Sequence, residues 1–184
     1  RRRSSDLVFR MYNDGLAYRF TTKMKNDIIV VDEEADYTFS SDHMAFAPYV
    51  NSKKATFEEQ FMNSFEQPYV HEPITKLNSK RLMILPLLVE LDGGKKLCIT
   101  EADLEDYPGM FLNNSTDKPV LKPVFASYPK VKKQGGHNNL QMLVEEREDY
   151  IAKTSGTRAF PWRMFIVSEN DKQLADCDMV YRLA

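Results

Sequence analysis

The run Glu101-Ala-Asp103-Leu-Glu105-Asp106 is rich in carboxylates, and closely spaced carboxylates can bind a cation or exchange protons. Its spacing is not the DxDxDG of an EF-hand loop, so it reads either as the solvated start of a helical turn or as the edge of a site. His43, His71 and His137 are far apart, and none stands in an HExxH or HxH arrangement. They read as surface or locally satisfied histidines. No GxSxG elbow, P-loop or GxGxxG fingerprint is present, and Gly93-Gly94 and Gly135-Gly136 read as turn residues. Nucleophilic and nucleotide chemistry therefore have no visible seat. Cys98 and Cys177 lie in separate apolar stretches without a CxxC partner, which suits buried free thiols. Their spacing leaves open whether they pair, and with it the redox compartment.

Tyr12, Tyr18, Tyr49, Tyr107, Tyr128, Tyr150 and Trp162 offer amphipathic rings that suit sugar faces, and equally suit a β core. Hydrophobic residues make up 42% of the chain and charged ones 28%, which is too apolar for disorder. With 184 residues, one domain spanning 1–184 is expected. The 25 basic and 27 acidic residues are interspersed and sum to −2, so no field of one sign points to nucleic acid or an anionic membrane. Arg1, Arg2 and Arg3 form the one basic cluster, too short to decide anything. No apolar run approaches the roughly 20 residues of a membrane helix, and no signal-peptide core opens the chain. Because it begins with Arg rather than Met, the chain is expected to be a piece of a longer polypeptide.

The elements that must position these side chains are mostly extended. LVFRMY and LAYRF flank Asn13-Asp14-Gly15, a hairpin signal, with Val8, Arg10 and Tyr12 on one face. DIIVVD, HMAFAPY, LMILPLLVEL, KKLCIT, NLQMLVE and WRMFIVS read as further strands, and Pro86 suggests an edge or a bulge in the third of these. Phe57, Phe61 and Phe65 recur every four residues behind Thr56-x-x-Glu59, a capping-box pattern that predicts a short helix over 56–65. A second helical turn is expected from Thr100, stopping before Pro108-Gly109. The Pro- and Lys-rich stretch 113–136 reads as a surface excursion that Val120, Leu121, Val124 and Phe125 help to bury. Many short strands with polar turns and no βαβ alternation predict an all-β sandwich or barrel.

Three segments carry a resemblance. FRMYNDGLAYRF (9–20) is similar to the FR-aromatic-NDG hairpin, ITEADLEDYPGMFL (99–112) to the TEA-L-DY segment, and the stretch 150–184, which includes PWRMFIVS (161–168), to the region of the PWR strand in the N-terminal part of glycoside hydrolase family 97. This family comprises α-glucosidases and α-galactosidases. All three segments occur in the family's order, so the resemblance covers nearly the whole chain.

The resemblance implies a β-super-sandwich like the galactose-mutarotase fold, expected to be incomplete at its N-terminal side. It implies a parent in which the sandwich precedes a catalytic (β/α)8 barrel and a small C-terminal β domain. The two carboxyl groups that cleave a glycosidic bond belong to that barrel, so no catalytic residue is assigned to this chain. Family members also bind calcium beside the catalytic centre, with one glutamate lent by the sandwich from a T-x-E loop that follows a DH-AF segment. Asp42-His43-Met44-Ala45-Phe46 followed by Thr56-Phe57-Glu58 matches, which makes Glu58 the expected metal ligand. The adjacent Glu59 and a longer intervening loop depart from the pattern and leave open that both are exposed acids on a short helix.

Trp162 is expected to pack in the core or between domains rather than under a sugar. The partners implied are the barrel of the same polypeptide and an α-linked oligosaccharide, with no nucleic acid and no membrane insertion. A periplasmic location follows from the family alone. The sequence leaves glucoside against galactoside, and inversion against retention, undecided. A second reading is a stand-alone carbohydrate-binding sandwich module.

Overall fold

A computed structural model describes residues 4–51, 54–62 and 67–184. The arginine cluster 1–3 and Phe65, the last residue of the predicted helical repeat, lie outside the described residues. Among the described residues fifteen strands form, every ladder antiparallel: β1 (Ser5–Tyr12), β2 (Gly15–Lys23), β3 (Ile28–Val30), β4 (Tyr37–Thr38), β5 (Met44–Ala47), β6 (Val70–Pro73), β7 (Leu87–Glu90) and β8 (Lys96–Ala102). They continue with β9 (Phe111–Asn113), β10 (Val120–Val124), β11 (Pro129–Gly135), β12 (Gln141–Arg147), β13 (Ala152–Thr154), β14 (Thr157–Ala159) and β15 (Trp162–Ser168). Three short α-helices, α1 (Phe57–Gln60), α2 (Asp171–Ala175) and α3 (Met179–Leu183), and three 3-10 turns complete the described elements. The fold is all-β, as the alternating short runs imply.

Eight strands make the principal sheet, in the order β1-β2-β15-β8-β7-β5-β6, with β14 joining β2. The Asn13-Asp14 turn sets the β1–β2 register, pairing Tyr12 with Gly15 and Phe9 with Tyr18. Gly15 is required by close approach, because a Cβ there would lie 2.4 Å from the Phe165 carbonyl oxygen of β15. Alternation then sorts the side chains by face. Ala45, Leu87, Val89, Ile99 and Phe165 point to one side, where β9, β10 and the loops around them close the main core with Leu112, Leu121 and Met110. Ala17, Trp162, Met164 and Ile166 point to the other, where Met179 and Leu183 of α3 cover them.

Three local expectations are corrected. Residues 100–102 are not a helix start but the end of β8, where Thr100 pairs with Met164 and Ala102 with Trp162. Cross-strand packing against a buried Trp outweighs the weak local helix signal of a few acids. Pro86 marks neither an edge nor a bulge: it precedes β7, which is paired on both sides by β5 and β8. The 113–136 stretch is not a surface excursion throughout: its β10 pairs with both β4 and β9, and Val120 and Leu121 are buried as their apolar character implies.

Candidate functional site

Glu58 stands on the first turn of α1, and the capping box explains why it, rather than Glu59, is presented outward. Thr56 Oγ1 accepts from the Glu59 N–H at 3.3 Å, while Glu59 Oε2 accepts from the N–H groups of Ala55 (3.0 Å) and Thr56 (3.1 Å). These bonds, first of all that from the Thr56 backbone, hold the Glu59 carboxyl below its ordinary range. Glu59 is thus engaged in its own helix end. The end of the turn is anchored by Gln60, fully buried, which donates to the Lys80 carbonyl at 2.8 Å and accepts from the Leu82 N–H at 2.9 Å.

The Glu58 side chain is 57% exposed and its Oε1 is held by Arg147 Nε, at the end of β12. Arg147 is itself fixed: its Nη1 donates to the Ser127 carbonyl at 2.7 Å and its guanidinium lies 5.6 Å from the Phe61 ring centre. Beside this pair lies a cleft of about 310 Å³ whose lining includes Phe61, Tyr107, Phe111, Tyr128 and Arg147. Among the described residues no group of three or more His, Cys, Asp or Glu could hold a metal ion. Calcium takes six to eight hard oxygens. An outward carboxylate held through one oxygen by one N–H fits the chemistry of a single ligand, the remaining oxygens coming from elsewhere.

The other acid assembly is buried. Arg163 on β15 lies opposite Glu101 on β8, and its side chain is 1% exposed. Its Nη1 donates to Glu101 Oε2 at 2.6 Å, and its Nε and Nη2 fork onto the two oxygens of Glu33 at 2.8 and 2.7 Å. Tyr107 adds a hydroxyl to Glu33 at 3.2 Å, and the Met110 N–H reaches Glu101. Burial pushes the Glu101 carboxyl up, against the opposing pull of Arg163. Every charged group here is answered by another, so the assembly locks the 31–36 segment to the sheet rather than offering a reactive acid. Of the 101–106 run, Glu101 belongs to this lock, and Asp103 ties to Arg19 at 2.9 Å.

His71 stacks on Phe46 and bonds Glu90 at 2.8 Å, and His43 lies 4.0 Å from Asp92. Cys98 and Cys177 are free thiols. Trp162 is 1% exposed, with the guanidinium groups of Arg10 and Arg19 lying 4.9 and 4.3 Å from its ring centre, and offers no face to a sugar. Sequence reasoning missed Glu33 and Arg147, whose partners lie 130 and 89 positions away. The DEEAD run around Glu33 is only a hint of a buried acid.

Comparison with known proteins decides the family. The model of the glycosyl-hydrolase 97 N-terminal domain matches residues 1–184. The chain belongs to that family. A retaining alpha-galactosidase of Bacteroides thetaiotaomicron is 50% identical over 179 residues, which are 97% of this chain and 27% of that protein. A family 97 enzyme from Pseudoalteromonas sp. strain K8 in complex with acarbose matches with a TM-score of 0.70 at 19% identity, covering 98% of this chain and 23% of that one. A variant from the same organism in complex with panose gives 0.71 at 18%, with the same coverage. These two likenesses bear on the fold. The family 97 N-terminal chain thus spans about a quarter of the length of its relatives.

Proposed function

We propose that this family 97 N-terminal domain serves a larger α-galactosidase, in which it braces a catalytic (β/α)8 barrel and lends Glu58 to a calcium ion at the edge of the active centre. The half-identical relative is a retaining alpha-galactosidase, which supports a parent that cleaves α-galactosides with retention. The observation that carries the reading of Glu58 is the division of labour between neighbours: Glu59 closes the helix end, while Glu58 faces outward with its carboxylate steadied by Arg147.

The chain's own residues do positioning work. Thr56 and Glu59 fix the start of α1, Gln60 fixes its end, and Arg147 limits the arc through which the Glu58 carboxylate swings. A bound calcium would supply a fixed positive charge able to orient or polarise oxygens of the substrate or of a water. The pair of carboxyl groups that a retaining glycosidase needs, about 5 to 5.5 Å apart, belongs to the barrel.

Hydrolysis of p-nitrophenyl α-galactoside tests the reading. The full-length polypeptide is expected to release nitrophenol in a calcium-dependent manner, and residues 1–184 alone to release none above background. Turnover by the isolated chain, or a full-length protein whose activity ignores chelation, would contradict it.

A further inference from the structure

Among the described residues, β11 and β12 pair only with each other, forming a ribbon that joins neither the principal sheet nor the smaller ones. Seven residues of strand reach about 20 Å. A two-stranded ribbon is marginal in water without a further surface to pack on. Both ends of this one are nevertheless built to be firm. At the root, the Tyr128 N–H donates to the Tyr150 carbonyl at 2.7 Å and the two rings stack at 5.7 Å. At the tip, Gly136, Asn138 and Asn139 all take positive φ, and Gln134 Nε2 caps the Asn139 carbonyl at 2.8 Å. Left-handed backbone of this kind favours Gly and Asn, so the turn is specified by its sequence.

The flanks are closed to other strands by charge. Lys130 pairs with Glu146 at 3.4 Å and Lys133 with Glu145 at 3.7 Å, so both strands carry charged side chains, a usual guard against edge pairing. The most exposed apolar side chains of the ribbon lie at its tip, where Leu140 is 80% exposed and Met142 59%. The last residue of the ribbon is Arg147, the group that grips Glu58. Whatever approaches Glu58 therefore approaches the side from which the ribbon springs.

We infer that the 129–147 ribbon is a docking arm for the catalytic portion of the same polypeptide, with Leu140 and Met142 as its anchors. This rests on the reading of the chain as the N-terminal domain of a larger glycosidase. The occupant follows from two observations: the half-identical relative carries most of its length outside the matched part, and the charged flanks disfavour a second copy adding along the edge.

The test replaces Leu140 with a benzophenone-bearing photo-crosslinking amino acid in the full-length polypeptide, irradiated at high dilution and mapped by peptide mass spectrometry. Leu140 is exposed, so the replacement does not disturb folding. Intrachain cross-links into residues beyond 184 are expected. Cross-links only to a second copy, only within 1–184, or none would overturn the inference. In parallel, L140S combined with M142S is expected to speed proteolytic separation of the two portions by at least about fivefold, and an unchanged rate would also overturn it. Failure of the calcium assignment is separable, because it changes metal binding and leaves the cross-links in place.

Discussion

Two arginine–glutamate assemblies in this molecule use the same groups to opposite ends. Around Arg163 the charges are sealed from water, forked, and answered on every side by Glu33, Glu101 and Tyr107. Around Arg147 the guanidinium is held by Ser127 and Phe61, but its carboxylate partner stands in solvent. An ion pair out of water is costly to form and costlier to break, whereas an exposed pair exchanges partners at little cost. The first suits a lock. The second suits a ligand that must leave one partner for another.

The largest effect should follow from breaking the lock. Arg163→Met leaves Glu33 and Glu101 buried without a counter-ion and is expected to destabilise the fold by about 3 to 5 kcal/mol, read from urea unfolding at neutral pH. A loss below about 1 kcal/mol would mean that water reaches the assembly.

The buried side of the contrast should also show in alkali. Burial pushes the Cys98 thiol up to about 11. A raised folded value means that the fold favours the neutral thiol. Its contribution is therefore complete below the ordinary ~8.5 and is lost as pH rises towards 11, amounting to about 3 kcal/mol. Unfolding free energies of the wild type and Cys98→Ala, compared at pH 8 and pH 11, should converge or cross by that amount. A constant difference would place the thiol in water. The buried hydroxyls of Tyr37 and Tyr107 are raised as well and are common to both proteins.

On the exposed side the effect should nearly vanish. Glu58→Gln is expected to change stability by no more than about 0.5 kcal/mol, and 1 M salt should erase most of that difference. A larger loss would make Glu58 a structural residue and blur the contrast.

Much of the fold is legible in local pattern. Asn13-Asp14-Gly15 announces the first hairpin, and WRMFIVS alternates as a strand between two cores must. The capping box over Thr56 and Glu59 is equally plain and forms as written. What escapes are features set by distant partners. The acids after Thr100 carry a weak helical signal, yet β15 claims that stretch as a strand. Glu33 looks like one of several loop acids until Arg163 arrives from 130 residues away. The α2 and α3 turns carry little periodicity because each has only five residues, and they form against the buried face of Trp162 and Met164. Likeness to a family motif singles out Glu58; its surroundings add that Glu59 is engaged in the helix end while the Glu58 carboxylate faces outward against Arg147.

Calcium titration of the full-length polypeptide by calorimetry, wild type against Glu58→Gln, tests the central claim most directly. The account predicts one site whose Kd rises about tenfold or more on loss of this single carboxylate oxygen donor, with the melting temperature of the metal-free protein unchanged. An identical Kd in the two proteins would contradict it.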